Sequence, residues 1–231
     1  MPRALLSVLC SYLQLAGVAS MKAVFLDRDG VINENRSDHV KDWSEFRFLP
    51  GTPEAIARLS RTGVRIFVIT NQAIINRGVV SRQQVDAINR RMVREIENRG
   101  GRIDEVVYCP HHPDEACDCR KPRPGLLLSL ARKHRLDLSD TALIGDALTD
   151  IEAGLSVGCD AILVLTGRGR DQLAQAVAAG KNGFRIASDL SEAVDLLTRR
   201  APTDRQSQEG VSAKEAMPQL NWGTDRGEIG E

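Results

Sequence analysis

Acidic, amide and cationic residues follow four apolar segments of this 231-residue chain, at the point where each segment ends. In chain order they are Asp27 and Asp29, then Thr70, Asn71 and Gln72, then Arg120 and Lys121, and finally Asp146 and Asp150. An aspartate can attack phosphorus and carry the phosphoryl group as an aspartyl-phosphate. A divalent cation with oxygen ligands offsets the repulsion between that carboxylate and the phosphate. The set therefore predicts phosphoryl-transfer chemistry.

Each step of that chemistry has a candidate side chain in the set. Asp27 can act as the nucleophile, and Asp27 and Asp146 can supply carboxylates to Mg²⁺, with the carbonyl of Asp29 as a third ligand. The carboxyl group of Asp29 can protonate the leaving oxygen and then deprotonate the hydrolytic water. Thr70 and Lys121 can stabilise charge on the phosphoryl oxygens. Asp-x-Asp and Gly-Asp are each common in turns and helix caps, so the prediction depends on all four motifs occurring in order.

Three of the five cysteines lie within 11 residues, beside two histidines. Cys109, Cys117 and Cys119, together with one of those histidines, offer three thiolates and one imidazole, which suit a closed, tetrahedral, structural zinc site. A reduced cysteine cluster or redox chemistry is the alternative. Such a zinc ion would not catalyse a reaction. It would brace the loop 109–119, directly before the cationic pair of the first set.

Apolar runs rich in β-branched residues predict five buried strands, which alternate with helical patterns. The strands are predicted at 22–26, 64–69, 103–108, 141–144 and 161–165, and the helices at 53–63, 81–99, 124–134 and from the fourth strand to about 158. This alternation predicts an α/β fold with a doubly wound parallel sheet. In such a sheet the carboxyl ends of the strands share one edge, where ligands bind. The stretch between Asp27 and Thr70 is too short for a helical cap domain, so we expect a nearly capless enzyme with an open site.

The motifs resemble those of the haloacid dehalogenase superfamily, which has Asp-x-Asp-Gly after the first strand, Thr or Ser after the second, a later Lys, and Gly-Asp-x-x-x-Asp. By this resemblance Asp27 is the nucleophile, Asp29 the acid/base, Asp146 a magnesium ligand and Asp150 an indirect support of the metal. Cys-x-His and Cys-x-Cys-Arg-Lys-Pro, joined to Asp-x-Asp-Gly-x-Ile-Asn and Thr-Asn-Gln, are similar to the D-glycero-D-manno-heptose 1,7-bisphosphate 7-phosphatase family. Histidinol-phosphate phosphatase domains share this pattern closely. The resemblance covers about residues 21–165, and we expect it to extend to Thr198.

The narrower resemblance implies further roles. Arg120 would recognise substrate, Lys121 would bind the transferring phosphoryl group, and His111 rather than His112 would complete the zinc site. The implied substrate-contacting residues are Asn35, Asp38, Asn71, Gln72, Arg120 and Lys121.

The chain departs from the family pattern at three places. It has Asp38-His39 where Gly-Tyr is frequent, Ala73 where Ser commonly follows Thr-Asn-Gln, and Ala147 where Lys or Ser often follows the fourth-strand Asp. These departures leave the phosphoryl machinery intact and leave the choice of sugar open.

Several functional hypotheses remain. The leading one is hydrolysis of the 7-phosphate of a heptose bisphosphate, for nucleotide-activated heptose synthesis, and its close rival is hydrolysis of histidinol phosphate. A nucleic-acid 3′-phosphatase shares the Asp-x-Asp core, but 31 acidic and 31 basic residues leave no basic surplus, and the zinc cluster also argues against it. A metal-stabilised binding module without catalysis is disfavoured because all the reacting residues are intact.

The two ends of the chain differ from its centre. Residues 1–20 are mostly apolar and predict either a start codon placed too early, since Met21 directly precedes the first strand, or a weak signal-like segment. Residues 21–200 are the predicted phosphatase domain, and the polar stretch 201–231 is a predicted disordered tail. No apolar run reaches 18 residues. We expect a cytoplasmic monomer that acts on a small phosphorylated metabolite, with no nucleic-acid or membrane partner.

Overall fold

A computed structural model describes residues 21–198, which form a six-stranded sheet in which every neighbouring pair of strands is parallel. The strands are β1 (Ala23–Leu26), β2 (Arg65–Asn71), β3 (Glu105–Cys109), β4 (Thr141–Gly145), β5 (Asp160–Val164) and β6 (Arg185–Ala187). Their order across the sheet is β3-β2-β1-β4-β5-β6. The predicted α/β fold with a doubly wound parallel sheet is confirmed. The predictions for 1–20 and 201–231 lie outside the described residues.

Helices cover both faces of this sheet. They are α1 (Thr52–Arg61), α2 (Arg82–Glu97), α3 (Gly125–His134), α4 (Leu148–Leu155), α5 (Gly169–Ala178) and α6 (Leu190–Thr198), with 3-10 helices at Trp43–Glu45, Pro113–Glu115 and Leu138–Asp140. Side chains of α1, α2 and α6 join the core on one face. Those of α3, α4 and α5 pack on the other. None of the helices between residues 21 and 198 combines the length and the apolar character that crossing a bilayer requires.

Strand β1 shows why the strands read as continuous apolar runs. All four of its residues are buried. Val24 and Leu26 join the core beneath α1, α2 and α6, whereas Ala23 and Phe25 join the core on the opposite face. Successive side chains of a strand point to opposite faces, so a strand covered on both sides has no position for a polar residue.

Most predicted elements are present, and their ends differ by a few residues. The capping box predicted for the second helix is confirmed: Ser81 Oγ accepts from the backbone N–H of Gln84 (3.2 Å), and Gln84 Oε1 accepts from that of Ser81 (2.8 Å). Strand β6 and helices α5 and α6 have no counterpart in the sequence prediction. Strand β6 has three residues, of which Ile186 is 45% exposed, so it leaves no apolar run to detect.

The strand order determines where a ligand can bind. The chain moves outward from β1 to β2 and β3, then returns to place β4 against the other side of β1. The connections that leave β1 and β4 therefore diverge and open a crevice at the carboxyl edge of the sheet. Asp27 and Asp146 are the first residues after these two strands.

Candidate active site

A cavity of about 340 Å³ lies at this edge of the sheet, and its wall is formed by the last two residues of β2 and by segments that follow β1, β3, β4 and β5. Its lining residues are Asp27, Asp29, Asn35, Arg36, His39, Thr70, Asn71, Pro113, Arg120, Lys121, Pro122, Thr149, Asp150 and Arg168. All four predicted catalytic residues line the cavity. Asp27 and Asp29 belong to the segment that follows β1, Thr70 lies in the last two residues of β2, and Lys121 lies on the loop between β3 and α3.

The ammonium group of Lys121 is buried between two carboxylates. Its Nζ lies 2.8 Å from Asp27 Oδ1 and 2.5 Å from Asp150 Oδ1, and it donates to the carbonyl of Ile69 (2.8 Å). Asn71 fixes the backbone of this lysine, since its side chain donates to the Lys121 carbonyl (3.1 Å) and accepts from the Lys121 N–H (3.2 Å). A fixed cation beside Asp27 can neutralise charge on an anion bound there.

Burial and ion pairing have opposite effects on the pKa values of Asp27 and Lys121: burial favours the neutral form of each side chain, and pairing favours the charged form. Burial raises the pKa of Asp27 to about 6, with further increase from Asp150 and opposition from Lys121. Burial favours the neutral form of Lys121, but Asp150 and Asp27 outweigh it and raise the pKa of the lysine. Burial also raises the pKa of Asp146, and the nearby Asp27 adds to the effect. Burial is the main cause of the raised pKa values of both carboxyl groups, and neighbouring carboxylates add to it.

Asp146 is fully buried and closes the crevice from the β4 side. Its Oδ2 accepts from the backbone N–H of Arg168 (2.8 Å), and the guanidinium of Arg168 lies 3.2 Å from Oδ1. Gly30 passes so close that a Cβ there would lie 2.1 Å from Asp146 Oδ2, and its φ is +91°. Thr166 Oγ1 donates to the Gly30 carbonyl (2.6 Å), which ties the segment after β5 to the Asp-x-Asp-Gly turn.

The carboxylates fit a divalent metal ion by composition and position. Oxygens of Asp27, Asp146 and Asp150 lie within 4.8 Å of one another, and all three residues are buried. All three carboxylates already have partners in the protein: Asp150 pairs with Lys121 and accepts from the backbone N–H of Ala147 (3.2 Å), Asp146 accepts from Arg168, and Asp27 pairs with Lys121. A bound cation would share these oxygens with the two cationic side chains. Hard oxygen donors and an excess of negative charge are what Mg²⁺ requires.

Asp29 lies at the rim of the cavity with both carboxylate oxygens engaged. The guanidinium of Arg28 donates to both of them, Asn33 donates to Oδ1 (2.9 Å), and Gln72 donates to Oδ2 (2.9 Å). Burial alone would raise the pKa of Asp29, but the charge of Arg28 and these hydrogen bonds lower it. Gln72 Nε2 also donates to Thr70 Oγ1 (3.0 Å), so the hydroxyl proton of Thr70 remains available to an acceptor in the cavity.

A second cluster of ligand atoms lies in the loop between β3 and α3. It comprises Cys109 Sγ, His111 Nδ1, Cys117 Sγ and Cys119 Sγ, with neighbouring atoms 3.2 to 3.5 Å apart. In a tetrahedral site with Zn–S bonds of about 2.3 Å, ligand atoms lie roughly 3.8 Å from one another, so the cluster has the chemistry and nearly the size for zinc. The ring of His112 instead accepts from the backbone N–H of Asp114 (3.4 Å) at the start of a 3-10 helix.

The residues implied for substrate contact divide into three groups. Asn35 and Arg120 line the cavity together with Asn71 and Lys121. Gln72 is buried behind it and contacts Asp29. Asp38 does not line the cavity. Its exposed carboxylate pairs with Lys41 (2.6 Å) and Arg36 (3.0 Å).

Sequence reasoning missed two cationic residues. Arg168 lines the cavity from the segment after β5, and the strand-end rule that found the other residues also applies to this position. Arg28, inside the Asp-x-Asp motif, is 1% exposed. A single arginine between two aspartates carries no sequence signal that separates a buried one from a solvated one.

Comparisons with known proteins identify relatives along most of the chain. A family model described as HAD-hydrolase-like matches residues 118–193. A protein of Bordetella bronchiseptica is 39% identical over 181 residues, which are 78% of this chain and 100% of the relative. A protein of Pseudomonas aeruginosa is 40% identical over 178 residues, 77% of this chain and 98% of the relative. Both relatives are named D-glycero-β-D-manno-heptose-1,7-bisphosphate 7-phosphatase.

A solved structure agrees with these relatives. The crystal structure of D,D-heptose 1,7-bisphosphate phosphatase from B. bronchiseptica, complexed with magnesium and phosphate, aligns with a TM-score of 0.73 at 39% identity. The alignment covers 77% of this chain and 98% of that one.

Proposed function

This chain belongs to the D-glycero-β-D-manno-heptose-1,7-bisphosphate 7-phosphatase family of haloacid-dehalogenase-like hydrolases, and we propose that it removes the 7-phosphate from that bisphosphate. It is a phosphomonoesterase. The observation that carries the substrate is the identity of about 40% along nearly the full length of relatives with this name. The product would serve nucleotide-activated heptose synthesis.

Asp27 would form and lose the covalent bond to phosphorus. One of its carboxylate oxygens attacks the 7-phosphoryl group, and the bond between phosphorus and the sugar oxygen breaks. Water then attacks the aspartyl-phosphate, which releases inorganic phosphate and restores the carboxylate. Lys121, 2.8 Å from Asp27 Oδ1, stabilises the charge that spreads over the phosphoryl oxygens.

Asp29 would move the protons in both steps. It must begin as the carboxylic acid, the form that Arg28, Asn33 and Gln72 disfavour. It then gives this proton to the departing sugar oxygen and takes one back from the attacking water. The hydroxyl of Thr70 donates to a phosphoryl oxygen, since Gln72 already supplies the hydrogen bond that this hydroxyl accepts. Arg120, Asn35 and the other cavity-lining residues would orient the sugar and its second phosphate.

Asp27, Asp146 and the carbonyl of Asp29 would hold Mg²⁺. When bound, the cation offsets the repulsion between the Asp27 carboxylate and the phosphoryl group. Asp150 holds Lys121 in place (2.5 Å) and so supports this arrangement from behind.

Cys109, His111, Cys117 and Cys119 would hold one structural Zn²⁺. The ligand atoms are already gathered, and Cys119 is followed directly by Arg120 and Lys121 in the chain. The metal would therefore fix the segment that supplies the phosphate-binding lysine. Elemental analysis of the purified protein should give close to one zinc per chain.

The test of the substrate is phosphate release from the heptose 1,7-bisphosphate and from histidinol phosphate, side by side with Mg²⁺. We expect a strong preference for the heptose and ³¹P NMR spectra in which the 7-phosphate signal is lost while the 1-phosphate signal remains. A preference for histidinol phosphate would contradict the proposed substrate. An Asp27→Asn variant that still released phosphate at the original rate would contradict the mechanism.

We further propose that residues 21–200 form the catalytic unit of a cytoplasmic monomer with no nucleic-acid or membrane partner. A net charge of zero supports the absence of a nucleic-acid partner, because it offers no electrostatic attraction to a polyanion. Light scattering behind size-exclusion chromatography should give the mass of one chain. A mass of two chains would overturn the proposed monomer.

A further inference from the structure

Arg28 is a buried cation without a role in the reaction as described so far. It is 1% exposed and is the largest fully buried side chain of the described residues. A buried charge is stable only when it is paired and its hydrogen-bonding groups are satisfied. The partners of Arg28 therefore indicate what the side chain is for.

The first partner is the carboxylate of Asp29. Arg28 Nη2 lies 2.9 Å from Oδ2 and 3.1 Å from Oδ1, and Nε lies 3.2 Å from Oδ2. The planar fork of the guanidinium matches the plane of a carboxylate and restrains its rotation as well as its position. Asn33 and Gln72 add one donor to each oxygen. The orientation of Asp29 is thus fixed from three sides.

The second partner is Asn89 on helix α2. Its side-chain oxygen accepts from Arg28 Nη1 (3.1 Å), and the residue is 5% exposed. Asn89 does not line the catalytic cavity, so its link to the site runs through Arg28. A chain of contacts therefore runs from the core helix α2 through Asn89 and Arg28 to the carboxyl group at the cavity rim.

We propose that Arg28, anchored by Asn89, is a positioning residue that sets the orientation in which Asp29 exchanges protons with the leaving oxygen. The inference depends on the role given to Asp29 in the proposed function. The side chain of Asp29 is 22% exposed and lines the cavity, so the carboxylate that Arg28 holds is still accessible from the cavity. Proton transfer requires heavy atoms about 2.6 to 3.2 Å apart, a tolerance that a freely rotating carboxylate would exceed.

The experiment compares two phosphate esters that differ in their need for a proton donor. A sugar alkoxide is a poor leaving group and must be protonated as it departs, whereas 4-nitrophenolate departs without a proton. Because kcat/KM covers only the steps through departure of the leaving group, it isolates this difference from the later hydrolysis. We expect Arg28→Met to lower kcat/KM for the sugar phosphate about 10- to 100-fold, a part of the full effect of acid catalysis. The value for 4-nitrophenyl phosphate should change less than about threefold.

Two further variants refine the test. Arg28→Lys keeps the charge but not the fork, so it should recover only part of the sugar-phosphate activity. Asn89→Leu should shift the ratio of the two kcat/KM values in the same direction as Arg28→Met, by a smaller factor. Should Arg28→Met not fold, as judged by circular dichroism, Asn89→Leu decides the question alone. Arg65→Met is the control for loss of an ion-paired arginine: Arg65 pairs with Asp104 at 3.4 Å, its side chain is 35% exposed, and it lies outside the cavity lining.

The outcomes are distinct. Equal losses for both esters would show that Arg28 supports the fold alone, and unchanged ratios in both Arg28→Met and Asn89→Leu would also overturn the proposal. If the wild-type protein hydrolyses other sugar phosphates but not the heptose bisphosphate, the proposed substrate is wrong. The ratio is then measured with the sugar phosphate that is turned over, and the role of Arg28 is still decided.

Discussion

Lys121 is the residue on which the buried charges of the site depend. Three buried carboxylates, those of Asp27, Asp146 and Asp150, surround one crevice, and Lys121 pairs with two of them. Removing one partner of a buried ion pair leaves an uncompensated charge, which costs far more than an exposed pair contributes. The same cation is therefore important to stability and to phosphate binding.

Lys121→Met should therefore reduce both properties. We expect the free energy of unfolding in urea, measured without Mg²⁺, to fall by about 3 to 5 kcal/mol, because Asp27 and Asp150 lose their counterion. We expect kcat to fall at least about 100-fold, since a fixed donor to the phosphoryl oxygens is lost.

Lys133→Met is the control for that measurement. Lys133 pairs with Glu105 at 2.7 Å, but its side chain is 60% exposed. Its removal should cost less than about 1 kcal/mol. Similar losses in the free energy of unfolding for the two lysine variants would show that the burial of Lys121 does not increase the contribution of its ion pairs to stability.

The raised pKa of Asp27 predicts a pH dependence of magnesium binding. Because the folded pKa of about 6 exceeds the ordinary value of 3.8, the native state holds the extra proton between these two values. The contribution of this group to the free energy of unfolding therefore falls as the pH rises from about 4 to 6, and the charge that appears is one that Mg²⁺ can offset. We expect apparent affinity for Mg²⁺ to be about tenfold weaker at pH 5 than at pH 7.5.

The measurement is the increase in Tm on addition of Mg²⁺ at the two pH values. It should be larger at pH 7.5. The Asp27→Asn variant should show a smaller increase and a weaker dependence on pH. An equal increase at both pH values in the wild-type protein would contradict this account of Asp27.

Sequence alone was sufficient for the residues at strand ends and insufficient for the contacts between them. That Asp27, Thr70 and Asp146 meet follows from strand alternation. Lys121 lies within the loop between β3 and α3, and its place beside Asp27 was expected from the family resemblance. Two contacts could not be predicted in this way: Gln72 donates a hydrogen bond to Asp29, and Asp38 pairs with surface cations. The direction of a side chain inside a loop depends on the packing of distant segments.

The loop between β3 and α3 carries the zinc-cluster ligands and two cationic cavity residues, but no residue between 110 and 124 belongs to a hydrophobic core cluster. None of the residues of its 3-10 helix, Pro113–Glu115, is buried. A closed zinc site can supply stability where a segment lacks a core. The loop delivers Arg120 and Lys121 to the cavity, so its order should decide activity.

Cys117→Ser is expected to lose zinc and activity together. The substitution removes one of four ligands, so elemental analysis should show well under one zinc per chain, and kcat/KM should fall as Lys121 loses its fixed position.

Cys159→Ala is the matched control, because this buried cysteine lies outside the cluster and contacts Thr141 Oγ1 at 3.1 Å. It should retain zinc. A Cys117→Ser protein with the zinc content of the wild type would contradict the proposed ligand set.

The elements that sequence predicted are those with strong, continuous patterns. Strands β1, β2, β4 and β5 are buried along most of their length, and the capping box marks the start of α2. Strand β3 has only one buried residue, Cys109, but its run of Val106, Val107 and Tyr108 still favours a strand. The missed helices α5 and α6, with 10 and nine residues, are no shorter than α4, which has eight, so length does not explain why they were missed. Strand β6 between them has one buried residue. A short edge strand leaves too few apolar positions to establish a period.

At the scale of the whole molecule, the chain needs its last described elements to close the sheet. Ala187, Leu190, Ala193 and Val194 belong to the core beneath α1, α2 and α6. All cavity-lining residues, by contrast, lie between 27 and 168. The full length of the Bordetella relative aligns with 181 residues of this chain.

Truncation should separate these requirements. A protein of residues 21–200 should keep kcat/KM within about twofold of the full chain, because it retains every core and cavity residue described. A protein that also lacks 184–200 should not fold, since it loses β6 and α6. Circular dichroism and phosphate release measure both outcomes. A large loss of activity in the longer fragment would contradict the proposed catalytic unit.

The absence of a separate cap domain among residues 21–198 affects how bulk water is excluded from the active site during the reaction. The catalytic cavity is bounded by loops of the sheet edge, and no element of the described chain folds over its mouth. Electrostatic stabilisation weakens when bulk water raises the local dielectric constant. The bound substrate must then shield the site from solvent itself. A sugar with a second charged end can cover the cavity opening while its first phosphate reacts. A small phosphate ester would leave Asp27 exposed to solvent. The size of the substrate therefore contributes to specificity.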